Sequence, residues 1–335
     1  MHSRSRARSR LLTLAACLVM LAIVVVLSLA VGARTIPPAT VWEALVDPRP
    51  TPEHATIWDG RIPRTLLGIV AGVALGVAGA LIQGLTRNPL ADPGVLGVNA
   101  GAAFFVVIAV GFLGVASISG YVWFAFAGAF VSSVAVYLIG TGGRRDVNPM
   151  RLTLAGVALG AVLTGIGSGI ALLRPEAFAH MRAWNVGSLD VRSLEPLMTI
   201  APFVLTGLVL AAVASRGLDA LAMGEDVAQA LGSSVLATRL CSVVAITLLA
   251  GAATAATGAI AFVGLMIPHV ARRLCGPDQR WIVVFTIVLA PILLLSADVL
   301  GRVAVPGEMQ AGVVTAFVGA PFLIAIARRR RVIAL

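Results

Sequence analysis

"LCSVVAITLLAGAATAATGAIAFVGLMIPH", Leu240 to His269, is among the longest uncharged runs in the chain. It runs for 30 residues without an Asp, Glu or Arg. A straight helix crosses a bilayer in ~20 apolar residues. The run is too long for one crossing and too apolar to be a surface segment in water. Gly258 is the natural break. We expect a crossing near 239–257 and a short, tilted or partly re-entrant segment near 258–268.

The same ruler finds eight more segments, near 11–31, 64–84, 94–114, 120–140, 151–173, 196–214, 281–301 and 309–327. Of 335 residues, 59% are hydrophobic and 12% charged, and the mean hydropathy is +0.98. Soluble domains carry about 25% charged residues. The expected fold is an all-α polytopic membrane protein, one transmembrane domain over 1–335 with about ten helices and no soluble domain. The basic start before Leu11 resembles a signal peptide, but the apolar run to Ala33 is long enough to span, so a retained first helix is expected.

All 25 basic residues are Arg; with 15 acidic residues the net charge is +10. They sit in short loops beside apolar spans, which is not a nucleic-acid pattern. Cytoplasmic loops collect positive charge. With the N-terminus inside, the inner loops hold 17 arginines, counting Arg144, Arg145 and Arg328 to Arg331, and the outer loops hold 8. An even number of segments puts both termini in the cytoplasm.

Chemistry is sparse inside the spans. Cys17, Cys241 and Cys275 and the four histidines are scattered, so we expect no metal site, disulfide or cofactor. Asp298 is the ionisable residue closest to a midplane; it lies near an outer helix end, where Arg302 four residues later offers an ion pair. Ion-coupled carriers usually bury carboxylates or histidines for the coupling ion. The chain has no lysine, and a standard P-loop needs one to reach the β- and γ-phosphates. Any ATPase that drives transport is therefore a different chain, and this one is not an enzyme. Glycines recur at helical spacing: Gly68, Gly72 and Gly76; Gly97 and Gly101; Gly156 and Gly160; Gly165 and Gly169. Small residues at this spacing let helices approach closely in lipid. "GALIQGL" at Gly79–Leu85 is echoed by "GAIAFVGL" at Gly258–Leu265.

Three loop regions stand out. Ser215 to Arg239 is the longest inner loop and reads as one or two short helices. Leu218, Leu221 and Ala222 share one face, Val227, Ala228 and Leu231 another, and Gly232 is a C-terminal stop. The acidic pair Glu225–Asp226 suits the first turn of a helix and argues against adhesion to anionic lipid, so docking to a partner is preferred. On the outer side, Arg61, Arg64 and Arg302 suit either interfacial anchoring or pairing with a partner's carboxylates. On the inner side, "RNPLADPGVLGVNAG" (Arg87–Gly101) interrupts the apolar text with a polar turn stiffened by Pro89 and Pro93. That turn can close a path, or it can be a tight connection with Asn88 capping the third helix.

These residues together resemble the permease subunits of the FecCD type, the iron-siderophore, haem and cobalamin importers powered by ATP-binding cassettes. The likeness is carried by "RIPRTLLGIVAGVALGVAGALIQGLTRNPLADPGVLGVNAGA" (61–102), "NVGSL" (185–189), "GEDVAQALG" (224–232), "GAIAFVGLMIPHVARRLCG" (258–276), "SADVLGR" (296–302) and "PGEMQAGVVTAFVGAPFLIAIARR" (306–329). It implies a cobalamin-permease-like fold of ten helices. It also implies a second permease subunit (same or paralogous), two cytosolic ABC ATPase subunits and an extracytoplasmic substrate-binding protein.

The resemblance implies roles as well. Leu221, Gly224, Glu225, Asp226, Ala228, Leu231 and Gly232 would couple to the ATPase. Asn88 and Leu90 would close the cytoplasmic gate, and Pro268, His269 and Arg272 would lie at the inner mouth, with Pro268 ending the eighth helix. Those inner-mouth residues equally suit positive-inside anchoring. Arg61, Arg64 and Arg302 would meet acidic residues on the two lobes of the binding protein. Gln310 stands where the family commonly has a proline, which leaves the start of the tenth helix less rigid. The function implied is import of an iron-siderophore or similar bulky chelate (haem, cobalamin) across the cytoplasmic membrane by alternating access. The alternatives are an ABC permease for a bare metal ion and a self-contained ion-coupled carrier.

Overall fold

The structure, a computed structural model, describes residues 2–32, 34–115, 117–142 and 149–328. Arg144, Arg145 and Arg329 to Arg331, which weigh in the inner-loop count, lie outside the described residues.

In lipid every backbone N–H and C=O must be satisfied within the protein, so apolar runs of this length fold as helices. Among the described residues, seven helices are long and apolar enough to cross a membrane. They belong to α1 (His2–Ala30), α4 (Ile62–Thr86), α6 (Ile118–Thr141), α7 (Pro149–Leu173), α9 (Glu195–Ala222), α11 (Val235–Thr257) and α13 (Gln279–Ala304). Two shorter apolar helices are α5 (Val98–Leu113) and α14 (Ala311–Arg328). α12 (Val263–Cys275) completes the expected set of segments. Small helices lie between them: α2 (Pro38–Val46), α3 (Pro52–Ala55), α8 (Pro175–Val186) and α10 (Glu225–Ala230). A π-helical stretch, Thr56–Arg61, joins α3 to α4.

The long apolar run of Leu240–His269 does divide at Gly258, whose φ of 74° suits glycine and ends α11. The second half departs from expectation. α12 starts at Val263, not 258, and Pro268 lies inside it instead of ending it. A proline inside a helix leaves the carbonyl four residues earlier without its N–H partner. Here that carbonyl is Gly264 O, and the Gln83 amide of α4 donates to it at 3.4 Å and to Leu265 O at 3.1 Å. The helix survives because a neighbour supplies the missing donor.

α4 is the central helix, with most of its apolar window buried. Gly68, Gly72 and Gly76 lie against Leu295, Pro291 and Ala290 of α13. The closest approach is at Gly79, where an added Cβ would come within 1.9 Å of Gly264 O. The two echoed segments, 79–85 and 258–265, thus pack on each other at Gly79 and Gly264. Close packing fails as a reading at Gly165 and Gly169, where a Cβ would meet nothing within 4 Å. They lie on α7, which keeps an open apolar face including Leu154, Val157, Val162 and Ile166.

Candidate functional site

The bundle has a different site at each end. At the end assigned outward by the arginine count, Arg61, Arg64 and Arg302 are all buried, at 6%, 8% and 5% exposure. Two of them, Arg64 and Arg302, close on Asp298, which is fully buried on α13. Arg64 grips the Asp298 carboxylate through Nε, at 3.1 Å to both oxygens, and through Nη2 at 2.8 Å. Arg302 donates to the same carboxylate through Nε at 3.0 Å and through Nη2. Its Nη1 donates to Ser28 O at 2.7 Å and Val31 O at 3.2 Å, and its Nη2 also reaches Ser28 Oγ at 3.3 Å. Arg61 donates to Leu29 O and Arg34 O.

This corrects the picture of three surface arginines. A guanidinium carries five N–H donors, and in Arg302 they are directed to Asp298 and the end of α1. The cluster therefore ties α1, α4 and α13 together. Arg64 Nη1 is the edge that reaches the rim: it donates to Glu308 Oε2 at 2.9 Å and lies 3.6 Å from Asp190. Glu308 adopts a left-handed φ of 57°, uncommon for a residue with a side chain. Beside it is a cavity of about 460 Å³ whose lining includes the charged residues Arg34, Arg192 and Asp59.

At the opposite end, α4 stops at Arg87, which takes a left-handed C-cap conformation with φ 50° and ψ 32°. Asn88 is exposed and Leu90 half-buried. Asn88 does not cap the third helix: its Oδ1 accepts from Leu90 N at 3.0 Å, closing the turn locally. The capping carboxylate is Asp92, whose Oδ1 accepts from Gly94 N at 2.8 Å and starts a 3₁₀ turn, Pro93–Leu96. Burial pushes the Asp92 carboxyl up, and that same hydrogen bond opposes the shift. The stretch then folds back into the bundle, with Pro93 and Leu96 buried. Gln83 holds it there, donating to Ala91 O at 3.4 Å.

The segment from Ser215 to Arg239 is shorter as a loop than its sequence suggests. α9 continues to Ala222, so its first expected short helix is the end of a long one. α10 is the separate short helix. Gly224 precedes it at φ 116° and Gly232 follows at φ 77°, both conformations suited to glycine. Leu221 and Ala228 are buried, at 4% and 0% exposure, against their own chain. The exposed apolar side chains here are Met223 at 59%, Val227 at 44%, Leu231 at 63% and, in the first turn of α11, Leu236 at 53%. Of these, sequence reasoning offered only Leu231 as a coupling residue. Glu225 is ion-paired with Arg239, which fastens α10 to α11.

His269, expected at the inner mouth, does not face outward from the bundle end. It is buried, and its ring meets Phe322 of α14 edge-on at 6.0 Å. Arg272 is half-buried and donates to Gln83 Oε1 at 3.4 Å. Two cavities flank α8. One, of about 290 Å³, lies among α5, α7 and α8 and is lined by Asn99, Thr164, Ser168 and Trp184. The other, about 670 Å³ and largely apolar, runs along α14 past Gly312, Phe317 and Ile324. Asn185 and Ala259 border both.

The fold is that of a multi-pass helical membrane protein, with an exposed apolar ridge at one end and a buried arginine cluster at the other. The chain belongs to the FecCD transport family, which matches residues 20–329. It is 49% identical over 98% of both chains to the ferric enterobactin transport system permease protein FepD of Escherichia coli strain K12. It is 38% identical to the iron(3+)-hydroxamate import system permease protein FhuB of Bacillus subtilis strain 168, over 98% of this chain and 85% of that one. Against a solved inward-facing structure of a metal-chelate type ABC transporter the TM-score is 0.81 at 25% identity, covering 93% of this chain and 97% of the other.

Proposed function

We propose that this chain is the permease subunit of an ABC importer that carries a ferric siderophore across the bacterial cytoplasmic membrane. End-to-end similarity to a ferric enterobactin permease carries the substrate class. In this reading residues 1–335 form one transmembrane domain, α12 counts as a crossing, and the total is ten with both termini cytoplasmic. ATP is hydrolysed by a separate cytosolic chain that docks on α10 and the residues around it. A second permease subunit covers the open faces of α7 and α14, and the path runs between the subunits beside α8. Asn88 and Leu90 close its inner mouth, with Pro268, His269 and Arg272 bracing the helix behind them. The test is genetic: removing this chain from its host abolishes growth on a ferric catecholate as sole iron source, and growth on ferrous iron is unaffected. Normal growth on the ferric catecholate would overturn the substrate.

The arginine cluster in this reading meets an acidic lobe of the extracytoplasmic binding protein. Arg64 Nη1 is the edge such a carboxylate would reach, and Glu308 now occupies it. Glu308→Gln is therefore expected to tighten binding of the soluble protein by about three- to tenfold, because a rim charge that competes for the docking group is removed. Binding to the assembled transporter in nanodiscs measures this. An unchanged Kd means that the partner's carboxylate lands elsewhere.

A further inference from the structure

Asn88 and Leu90 are separated in sequence from the α10 ridge by more than a hundred residues. In the structure the two are joined by two polar links, and neither uses a residue assigned above to coupling or gating for its side chain. The first is Arg87, immediately before Asn88. Its Nη2 donates to the carbonyl of Leu221, in the last turn of α9 and three residues before Gly224. The second is Gln279, buried at 4% exposure at the first turn of α13. Its backbone N–H donates to Asp219 Oδ1 on α9 at 2.8 Å, and its side-chain amide donates to Ala80 O on α4 at 2.8 Å.

Between these links the helices are in contact. A Cβ on Gly84 would meet Gln279 Nε2 at 3.3 Å and Leu218 Cδ1 at 3.4 Å. The last two turns of α9 are thus fastened to the last two turns of α4 by side chains as well as by packing. α9 runs directly into Gly224 and α10; α4 runs directly into Asn88 and Leu90.

The conformation of Arg87 adds to this. It sits at a helix C-cap in the left-handed region, where glycine is the unstrained choice. A glycine would complete the same turn. An arginine there keeps a guanidinium that reaches the end of α9.

We infer that Arg87 and Gln279 are positioning residues that transmit movement of the α10 segment to the inner-mouth turn. The inference rests on the coupling and gate assignments made above. When α10 is displaced by its partner, the end of α9 moves with it. Arg87 and the Asp219–Gln279–Ala80 bridge oblige the end of α4 to follow. Without them α9 slides past α4, and the turn stays closed while the motor continues to cycle.

The test uses the complete transporter in proteoliposomes, with its ATPase subunits and the soluble binding protein loaded with a ferric catecholate. Arg87→Gly removes the guanidinium and suits the backbone. Gln279→Ala removes the link to Ala80 and leaves the backbone bond to Asp219. Each is expected to leave ATP hydrolysis within about twofold of the parent and to lower chelate imported per ATP by about tenfold, a size within reach of substitutions along a coupled network. Arg87→Lys, which retains a donor, is expected to recover part of the loss.

Import per ATP equal to the parent in both variants overturns the inference. So does a parallel fall of hydrolysis, import and melting temperature, which would make the residues structural only. The underlying coupling assignment fails separately, if charge placed on the exposed ridge of Val227 and Leu231 leaves import unaffected.

Discussion

Replacing Asp298 with Asn is expected to destabilise the transporter by about 3–5 kcal/mol, the cost of leaving a buried charge without its partner. Asp298 is fully buried and accepts from both Arg64 and Arg302. The amide keeps the volume and removes the charge, so two guanidiniums are left facing each other. Arg302 suffers most, because among the described residues Asp298 is its ion-pair partner and its other acceptors are Ser28 of α1 and Val31 just beyond it. Arg64 keeps Glu308.

The loss spreads beyond one contact because the cluster fixes α1 against α13 and α13 against α4. The expected result is a large fall in the apparent melting temperature in detergent. Adding Arg302→Gln to Asp298→Asn should recover part of it, since one of the two stranded charges is then gone. A single Asp298→Asn variant that melts with the parent would show that the cluster does not hold these helices together.

The second large effect is expected at α10. Met223, Val227 and Leu231 are apolar, exposed and presented at a helix end beyond the long spans. Val227→Glu together with Leu231→Glu leaves the buried side of α10, where Ala228 packs, untouched. Folding should therefore be retained. A charge forced into an apolar docking contact must be desolvated without a partner, which is costly. Co-purification of the ATPase should fall by about a hundredfold or more, in line with loss of interfacial anchors worth at least ~2–3 kcal/mol. Full recovery of the ATPase with this double variant would place the motor elsewhere on the chain.

How much of this was legible in the sequence follows from what each feature depends on. The spans were legible because lipid imposes a length and a polarity on every crossing. The break at Gly258 was legible because a helix of that length has to stop somewhere and glycine suits the turn. α8 was not found with a hydropathy ruler: it is short and half polar, although Pro175 at its start and Gly187 after its end mark it. The start of α12 was missed because residues 258–262 are as apolar as a helix yet are not helical. Their path ends at Phe262, held at φ 70°, a backbone fact that no residue pattern announces.

The arginine cluster shows a different limit. Arg61, Arg64 and Arg302 were picked out as a group, and the Asp298–Arg302 pair follows from i, i+4 spacing. Arg64 and Asp298 are 234 residues apart, and only the packing of α4 on α13 brings them together. Without that contact, three arginines near one membrane face look exposed. The segment proposed for coupling is marked in the sequence by Gly224 and Gly232, but the burial of Leu221 and Ala228 against their own chain is not. A helix as short as α10 has too few turns for periodicity to say which side is covered.

In the proposed function this chain is a conduit moved by another protein. The most direct measurement is uptake of a radio-iron catecholate into proteoliposomes, with the ATPase subunits, ATP and loaded binding protein each supplied or withheld. Accumulation is predicted only when all three are present, and it should vanish with the Val227→Glu, Leu231→Glu variant. Accumulation by this chain alone, driven by an ion gradient with no ATPase present, would contradict it.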